Sequence, residues 1–359
     1  MTELVAAEVF REASEAIPLR PAPVVGVAAL ARSRRRRRWR WTAGGLAAVL
    51  AVLALGTWAG TRPDDELPAP VVTEEANPAD IAWYANGVLH LARVTVELPQ
   101  VQEMVEVPDG VVYADRAGRV VLVDGLGEFS GLGQTNPGVP IAAAAERGWV
   151  TWLDAEGDPE LVVHDTIARR EIARLPVDAG ARPVAVDQDK IYFDVDGASF
   201  AWTAGERAPA AEPRDGLLDV SSAVRVTTFS ETSIMITQPL FDIEVTVPGV
   251  GAVVSPDGDH VMTRVDFDLP DELRVYEAAT GEQVDVGISP DDVVLAAAFG
   301  PDDTVSLVLA RREHAPGAGE FLRLSNSGPH TLRTCDLDLG TCRPVTQFTN
   351  DRGTAVLPH

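Results

Sequence analysis

Lysine is almost missing from these 359 residues: Lys190 is the only one, and arginine supplies the other basic side chains. That skew reads as coding bias and carries no chemistry. Cysteine is nearly as scarce. Cys335 and Cys342 are the two, and neither lies near the apolar segment discussed below, which excludes a lipoprotein anchor. The six histidines (His90, His164, His260, His314, His330 and His359) are scattered, with no second histidine within four residues, so a helical zinc pair is excluded. There is no GxSxG elbow. The glycine-rich stretch from Gly125 to Gly138 has no helix-forming pattern after it, so it reads as a loop connecting repeats, not a phosphate cradle. No residue is nominated as catalytic, no cofactor is implied and no metal set is found.

What the chain has is charge split in two. Residues 1–41 carry nine Arg and four Glu, a net of +5; the whole chain is −24, which leaves −29 for residues 42–359. A phosphate backbone would be repelled by the larger part, so no nucleic-acid partner is expected. The positive charge is concentrated at Arg32, Arg34, Arg35, Arg36, Arg37, Arg38 and Arg40, directly before an uncharged run from Trp41 to Thr61. As a helix rising about 1.5 Å per residue, that run is about as long as a bilayer's hydrocarbon core is thick. Acidic residues follow at Asp64, Asp65 and Glu66, so the positive-inside rule puts the N-terminus in the cytoplasm and the bulk outside. The run reads first as an uncleaved signal anchor. A cleaved signal peptide, with Thr57-Trp58-Ala59 as its small-x-small site, is the second reading. A buried core helix is the third.

Four segments follow: a cytoplasmic Arg-rich tail (1–41), a transmembrane helix (42–61), a Pro- and acid-rich linker (62–79) and an exported domain (80–359). Within the tail, Val5, Val9, Phe10, Ala13 and Ile17 fall close to one face of a helix from Thr2 to Ile17, which Pro18 stops. So short a helix is marginal alone in water. It is either a floppy tail or a docking element for a cytoplasmic protein.

After residue 62 no amphipathic stretch of helical length appears. Short apolar runs separated by turn residues do. Gly110 to Tyr113 precedes Arg119 to Val123, and Trp149 to Leu153 precedes Glu160 to His164. Lys190 to Val195 precedes Ser199 to Trp202, His260 to Val265 precedes Glu272 to Tyr276, and Thr304 to Leu309 precedes Phe321 to Leu324. These are strand-turn-strand signals, and the class is all-β. Units starting near Ile81, Val111, Ile141, Val184, Ala223, Val250 and Pro290 recur as a degenerate repeat, and residues 81–353 have room for about six or seven blades of about 40–45 residues. The expectation is a β-propeller of six or seven blades, with seven preferred.

Particular turns resemble a family. Ser255-Pro256-Asp257-Gly258, after Ala252-Val253-Val254, resembles the SPDG turn of TolB-type and WD-repeat-like propellers, and Gly300-Pro301-Asp302-Asp303 is a weaker copy. Val275 to Glu282 and His164 to Glu171 are similar to the turn between the third and fourth strands of such blades. There is no Gly-His…Trp-Asp pairing, so the likeness is not to strict WD repeats. The whole layout also resembles Gram-positive bacterial membrane proteins with an Arg-rich tail, one span and an exported propeller. Some of these look like regulators of extracytoplasmic sigma factors. Residues 1–89 contain neither His nor Cys, a departure from the zinc-binding anti-sigma pattern.

Cys335 and Cys342 flank a turn with Asp338 and Gly340. A four-residue loop would set them directly opposite on paired strands; a three-residue loop with a bulge would shift them by one. A disulfide favours the first. Asp154 to Asp158 and Asp194 to Gly197 share acidity with calcium loops but read as hairpin turns. The functional expectation is a non-enzymatic, membrane-anchored binding, sensing or scaffold module with a link to signalling. Its partners would be the lipid bilayer, an outer protein or glycan, and a cytoplasmic protein at the tail helix. An extracellular glycosidase or lyase is the alternative, and it predicts convergent carboxylates of raised pKa in the central funnel. An apolar or mixed funnel counts against it. A structural envelope component would instead show an apolar patch on one propeller face.

Overall fold

The computed structural model describes residues 71–98, 100–144, 146–212, 214–264, 273–311, 329–349 and 355–359. The chain divides into two units, residues 1–65 and 66–359, and the first lies wholly outside the described residues. So do the tail helix, the arginine block and the apolar run. Among the described residues no helix is long and apolar enough to cross a membrane.

The described residues form seven four-stranded antiparallel sheets, the blades of a β-propeller. Blade 1 holds β1 (Val72–Glu74), β2 (Trp83–Ala85), β3 (Val88–His90) and β4 (Val94–Glu97). Blade 2 is β5 (Val101–Val107), β6 (Gly110–Asp115), β7 (Arg119–Asp124) and β8 (Phe129–Gln134); blade 3 is β9 (Ala142–Ala144), β10 (Trp149–Asp154), β11 (Glu160–Asp165) and β12 (Arg170–Pro176). Blade 4 is β13 (Arg182–Asp187), β14 (Lys190–Val195), β15 (Ala198–Thr203) and β16 (Ala210–Ala211); blade 5 is β17 (Leu217–Ser221), β18 (Val224–Ser230), β19 (Ser233–Gln238) and β20 (Ile243–Pro248). Blade 6 is β21 (Val250–Val254), β22 (His260–Arg264), β23 (Leu273–Glu277) and β24 (Gln283–Val284); blade 7 is β25 (Asp292–Phe299), β26 (Thr304–Arg311), β27 (Pro329–Asp336) and β28 (Thr341–Thr349).

In blades 2–7 the strands run in chain order from centre to rim, and the first strands of neighbouring blades lie side by side. One face of the ring therefore carries the turns between first and second and between third and fourth strands. The other carries the turns between second and third strands and the links between blades. Blade 1 is assembled differently. Tyr84 in β2 exchanges both backbone hydrogen bonds with Val356, at 3.0 and 2.9 Å. Residues around Val356 thus occupy the innermost position, β2 to β4 take the next three, and β1 is an extra outer strand. The two sequence-distant parts of the domain close the ring within a single blade, which removes the open edges that an unclosed array would expose.

Blades pack through their faces. The Trp152 side chain of blade 3 is 1 % exposed, clusters with Val107, Val112 and Leu122 of blade 2, and covers Gly133. A Cβ at Gly133 would stand 2.9 Å from its ring, so the glycine is what lets the indole approach the backbone. At the seam, Ile81 and Trp83 pack on Ala298, Val308 and Leu332 of blade 7, with Leu357 in the same cluster.

The strand pairs expected from sequence are present in four cases, as β6–β7, β10–β11, β14–β15 and β22–β23. The fifth differs. Phe321 to Leu324 lies outside the described residues, and β26 pairs with β27 instead. Two expected unit starts also fall elsewhere: Val111 lies in the second strand β6 and Ala223 just before the second strand β18. Residues 72–74, expected in the linker, form β1. Residues 129–134, expected in a loop, form β8: Gly133 makes room for Trp152, and two glycines in six residues weaken the strand signal.

Trp152→Ala should cost about 3–5 kcal/mol of stability through the cavity it leaves. Trp152→Phe should cost far less than that, because the indole nitrogen is buried with no hydrogen-bond partner to lose. Urea unfolding of the two variants against the parent checks the order.

Candidate functional site

The channel along the propeller axis is the natural place for chemistry, and the sequence sets its walls. In blades 2, 4, 5, 6 and 7 the pairing of first and second strands slips by one residue, between Val101 and Glu103, Pro183 and Ala185, Leu217 and Asp219, Val250 and Ala252, and Val294 and Ala296. Each bulge sharpens the local twist and leaves one residue unpaired beside the channel. First strands of adjacent blades splay too far apart to bond through their backbones, so their inward N–H groups need other acceptors.

Carboxylates accept from Val254 of a first strand and from N–H groups beside the inner strands of other blades. Glu106 accepts from Ala82 N at 2.5 Å and Glu103 from Ile141 N at 2.9 Å, tying blade 2 to both neighbours. Asp187 of blade 4 accepts from Ala223 N at 3.1 Å. Asp219 of blade 5 accepts from Val254 N of blade 6 at 2.7 Å with one oxygen and from its neighbour Val220 N at 2.8 Å with the other. Burial pushes the Asp219 carboxyl up to about 6, against these hydrogen bonds and the nearby His359. Burial likewise raises Glu106, opposed by its bond to Ala82.

A cavity of about 610 Å³ opens off the channel, lined largely by small apolar residues of β9, β13, β17 and β21, with Glu146, Arg147, Asp187, Asp219 and His359 as its titratable members. His359 is brought here by the same segment that closes blade 1. Its backbone N–H donates to Met104 O at 3.3 Å, and its Nε2 lies 2.8 Å from Glu103 Oε1 and 3.2 Å from Ile141 O. The ring keeps 42 % of its side-chain surface open to the channel although strands surround it. Loss of solvation opposes its charge, but Glu103, the Ile141 carbonyl and Asp219 outweigh that and hold its pKa above the ordinary value.

The lining is mixed, and the raised carboxylate has both oxygens already bonded. The enzyme reading asked for convergent carboxylates here; Asp187 and Asp219 each accept from a backbone N–H, and Glu146 lines the same cavity. None of these residues was singled out from the sequence. An inward carboxylate on a first strand carries no local pattern, and His359 gives no hint that it crosses the ring.

The remaining expectations can be placed. Cys335 and Cys342 are directly opposite on β27 and β28, with a four-residue loop between the strands and a Cα–Cα distance of 4.0 Å, and they form a disulfide. The turns at Asp154 and Asp194 are hairpin turns: Asp154 pairs with Arg174 at 2.6 Å, and Asp194 accepts from Ser199 Oγ at 2.6 Å. The SPDG segment is the first turn of blade 6, with Gly258 at φ +84° and Ser255 Oγ bridging Asp257 Oδ1 and His260 N. Gly300 to Asp303 is the equivalent turn of blade 7, and it brings Asp303 beside Asp257 and Asp259. Arg34, Arg35, Arg36, Arg37, Arg38 and Arg40 lie outside the described residues.

The architecture is thus that of a seven-bladed β-propeller with a closed ring. Neither a protein-family model nor a curated protein matches the chain. Among solved structures it is similar to Hsv2 from Kluyveromyces lactis (11 % identity, TM-score 0.45, 70 % of this chain and 99 % of that one). It is also similar to the WD40 repeats of RRP9 (9 % identity, TM-score 0.47, 78 % and 86 %) and to a chain of the Mitotic Checkpoint Complex (10 % identity, TM-score 0.47, 82 % and 89 %).

The charge on His359 stabilises the fold below pH 6.5, its ordinary pKa, and that contribution fades as the pH rises through its raised folded value. His359→Gln should therefore lower stability by about 0.5–1 kcal/mol at acidic pH, the range of a solvent-screened pair, and by progressively less at alkaline pH. Thermal melts of both proteins across that span give the difference.

Proposed function

We propose that the chain is a single-pass membrane protein whose seven-bladed propeller is exported and serves as a non-enzymatic binding or scaffold module for a protein partner. The observation that carries the binding reading is the use made of the channel carboxylates. Glu103, Glu106, Asp187 and Asp219 are engaged in joining blades, and His359 sits across the channel. Recognition is left to the turn-bearing faces. Binding fits this scaffold, since it presents many turns on a rigid ring.

The anchor rests on the uncharged run from Trp41 to Thr61 and the arginines before it. The disulfide between Cys335 and Cys342 accords with an oxidising, extracytoplasmic compartment. A tail that contacts a cytoplasmic regulator, a sigma factor among them, would link the outer domain to signalling. TolB-type ancestry in a Gram-positive bacterium fits the SPDG turn.

Two measurements test this. The full chain should stay with the membrane pellet through an alkaline carbonate wash, and protease added to intact cells should degrade the propeller while sparing the tail. Release by the wash, or protection of the propeller, would overturn the membrane reading.

A further inference from the structure

The face that carries the first-to-second and third-to-fourth turns is unlike its opposite. Five of the large apolar side chains that stand exposed sit at the tips of third-to-fourth turns: Leu126 in blade 2, Ile167 in blade 3, Leu240 and Phe241 in blade 5, and Leu339 in blade 7. Phe229 is at the other face, and β1, where the domain's chain enters at Val71, runs in from that other side too. Scattered surface leucines need no explanation, but a repeated position on one face does. The turns hold these tips firmly. Asp124 accepts from Leu126 N, Asp165 from Ala168 N and Asp336 from Leu339 N, at 2.8–2.9 Å.

Between the blade 5 and blade 7 tips lies a cavity of about 540 Å³. It exists because blade 6 is thin at its rim: β24 has two residues and the turn before it presents only Ala279. Phe241 forms one wall. Asp259, Glu277, Asp303 and Asp338 supply four carboxylates, and no Arg or Lys lines the cavity among the described residues. Asp303 Oδ1 is buried without a hydrogen bond, as is His260 Nδ1, 3.7 Å from it. Leu240 is 80 % exposed and Leu339 71 %, so the acidic cavity has an apolar rim on both sides.

We propose that this cavity and its rim dock a basic polypeptide, seating an arginine or lysine side chain between Phe241 and the carboxylates while apolar side chains of the partner cover Leu240 and Leu339. This deepens the reading of the domain as a binding module and does not depend on the anchor. Charge selects the occupant. A second copy of this chain would bring another strongly acidic domain to an acidic cavity, whereas a cationic partner gains from the carboxylates and from the Phe241 ring face. The apolar tips give such a partner what charge alone cannot, a contact that survives salt.

The test uses the full chain in phosphatidylcholine nanodiscs and three labelled peptides, alternating leucine–arginine, leucine–glutamate and glycine–arginine, read by fluorescence anisotropy. The leucine–arginine peptide should bind, the glycine–arginine peptide more weakly, and the leucine–glutamate peptide not at all. Phe241→Ser should weaken binding about fivefold or more, and Asp338→Arg similarly. Phe229→Ser, on the opposite face, should leave it unchanged. Equal binding by parent and Phe241→Ser, equal binding of the two arginine peptides, displacement of the peptide by millimolar calcium, or self-association lost in Phe241→Ser would each overturn the proposal. Failure of the chain to enter nanodiscs would overturn the anchor alone, since the peptide arms can be run on protein in solution.

Discussion

Closing a ring of blades creates a shortage of hydrogen-bond acceptors at its centre, and the rest of the molecule is arranged around that shortage. Each first strand bonds to its own second strand on one side only. On the other side its N–H groups face the channel, where no strand pairs with them. An unsatisfied buried N–H costs about 1–3 kcal/mol, so a ring of them would consume much of a domain's net stability. Asp219 meets that need for Val254 of β21, while Glu103, Glu106 and Asp187 accept from Ile141, Ala82 and Ala223, just outside the inner strands of the neighbouring blades. A carboxylate is the suitable side chain, since it offers two accepting oxygens and a charge-assisted bond. Asp219 uses both.

The same constraint accounts for the segment around Val356. Without it β2 would be a bare innermost strand and blades 7 and 1 would meet only through side chains. Its two backbone bonds to Tyr84 and the burial of Leu357 join them. His359 then spans from this blade to Glu103 and Ile141, touching blades 2 and 3 beyond the seam. The segment that ends the described chain is therefore a clasp over three blades, and its charge state bears on how firmly the ring is held.

Much of the fold was legible because blades are built from local signals. Second and third strands, such as Lys190–Val195 and Ala198–Thr203, are joined by tight turns at residues of positive φ, here Asp196 and Gly197, and both the apolar runs and the turn residues are visible in sequence. Such units, at seven unevenly spaced starts, pointed to six or seven blades with seven preferred, and seven sheets are present. First strands were harder. Bulges such as those at Gln102 and Leu218 break their two-residue alternation, yet starts in the equally bulged β13 and β21 are legible while those at Val111 and Ala223 fall on second strands. β8 carries little apolar alternation because Gly131 and Gly133 stand in it, the second of them where Trp152 packs. The channel was not legible at all. Which carboxylate among many faces the axis depends on bulge positions and on blades far apart in sequence, and neither leaves a short-range mark.

The acidity of the domain also becomes less uniform than its net charge suggests. Part of it is structural. Asp115, Asp124, Asp165 and Asp336 accept from N–H groups within their own turns, so these carboxylates shape hairpins. Others join blades. What stands apart is the group around blade 6, where Asp257, Asp259 and Asp303 converge, and burial together with Asp257 raises the cost of ionising Asp259 and Asp303. Asp303 is held up to about 6, first by burial and then by Asp257 beside it. A fold under selection for stability alone would not crowd carboxylates next to exposed Leu240, Phe241 and Leu339, because both features disfavour the isolated domain. Each cost is relieved by the same event, the arrival of a surface that is at once cationic and apolar. That coincidence of two separate penalties at one place separates this part of the ring from the other acidic turns, where the carboxylates already have their partners.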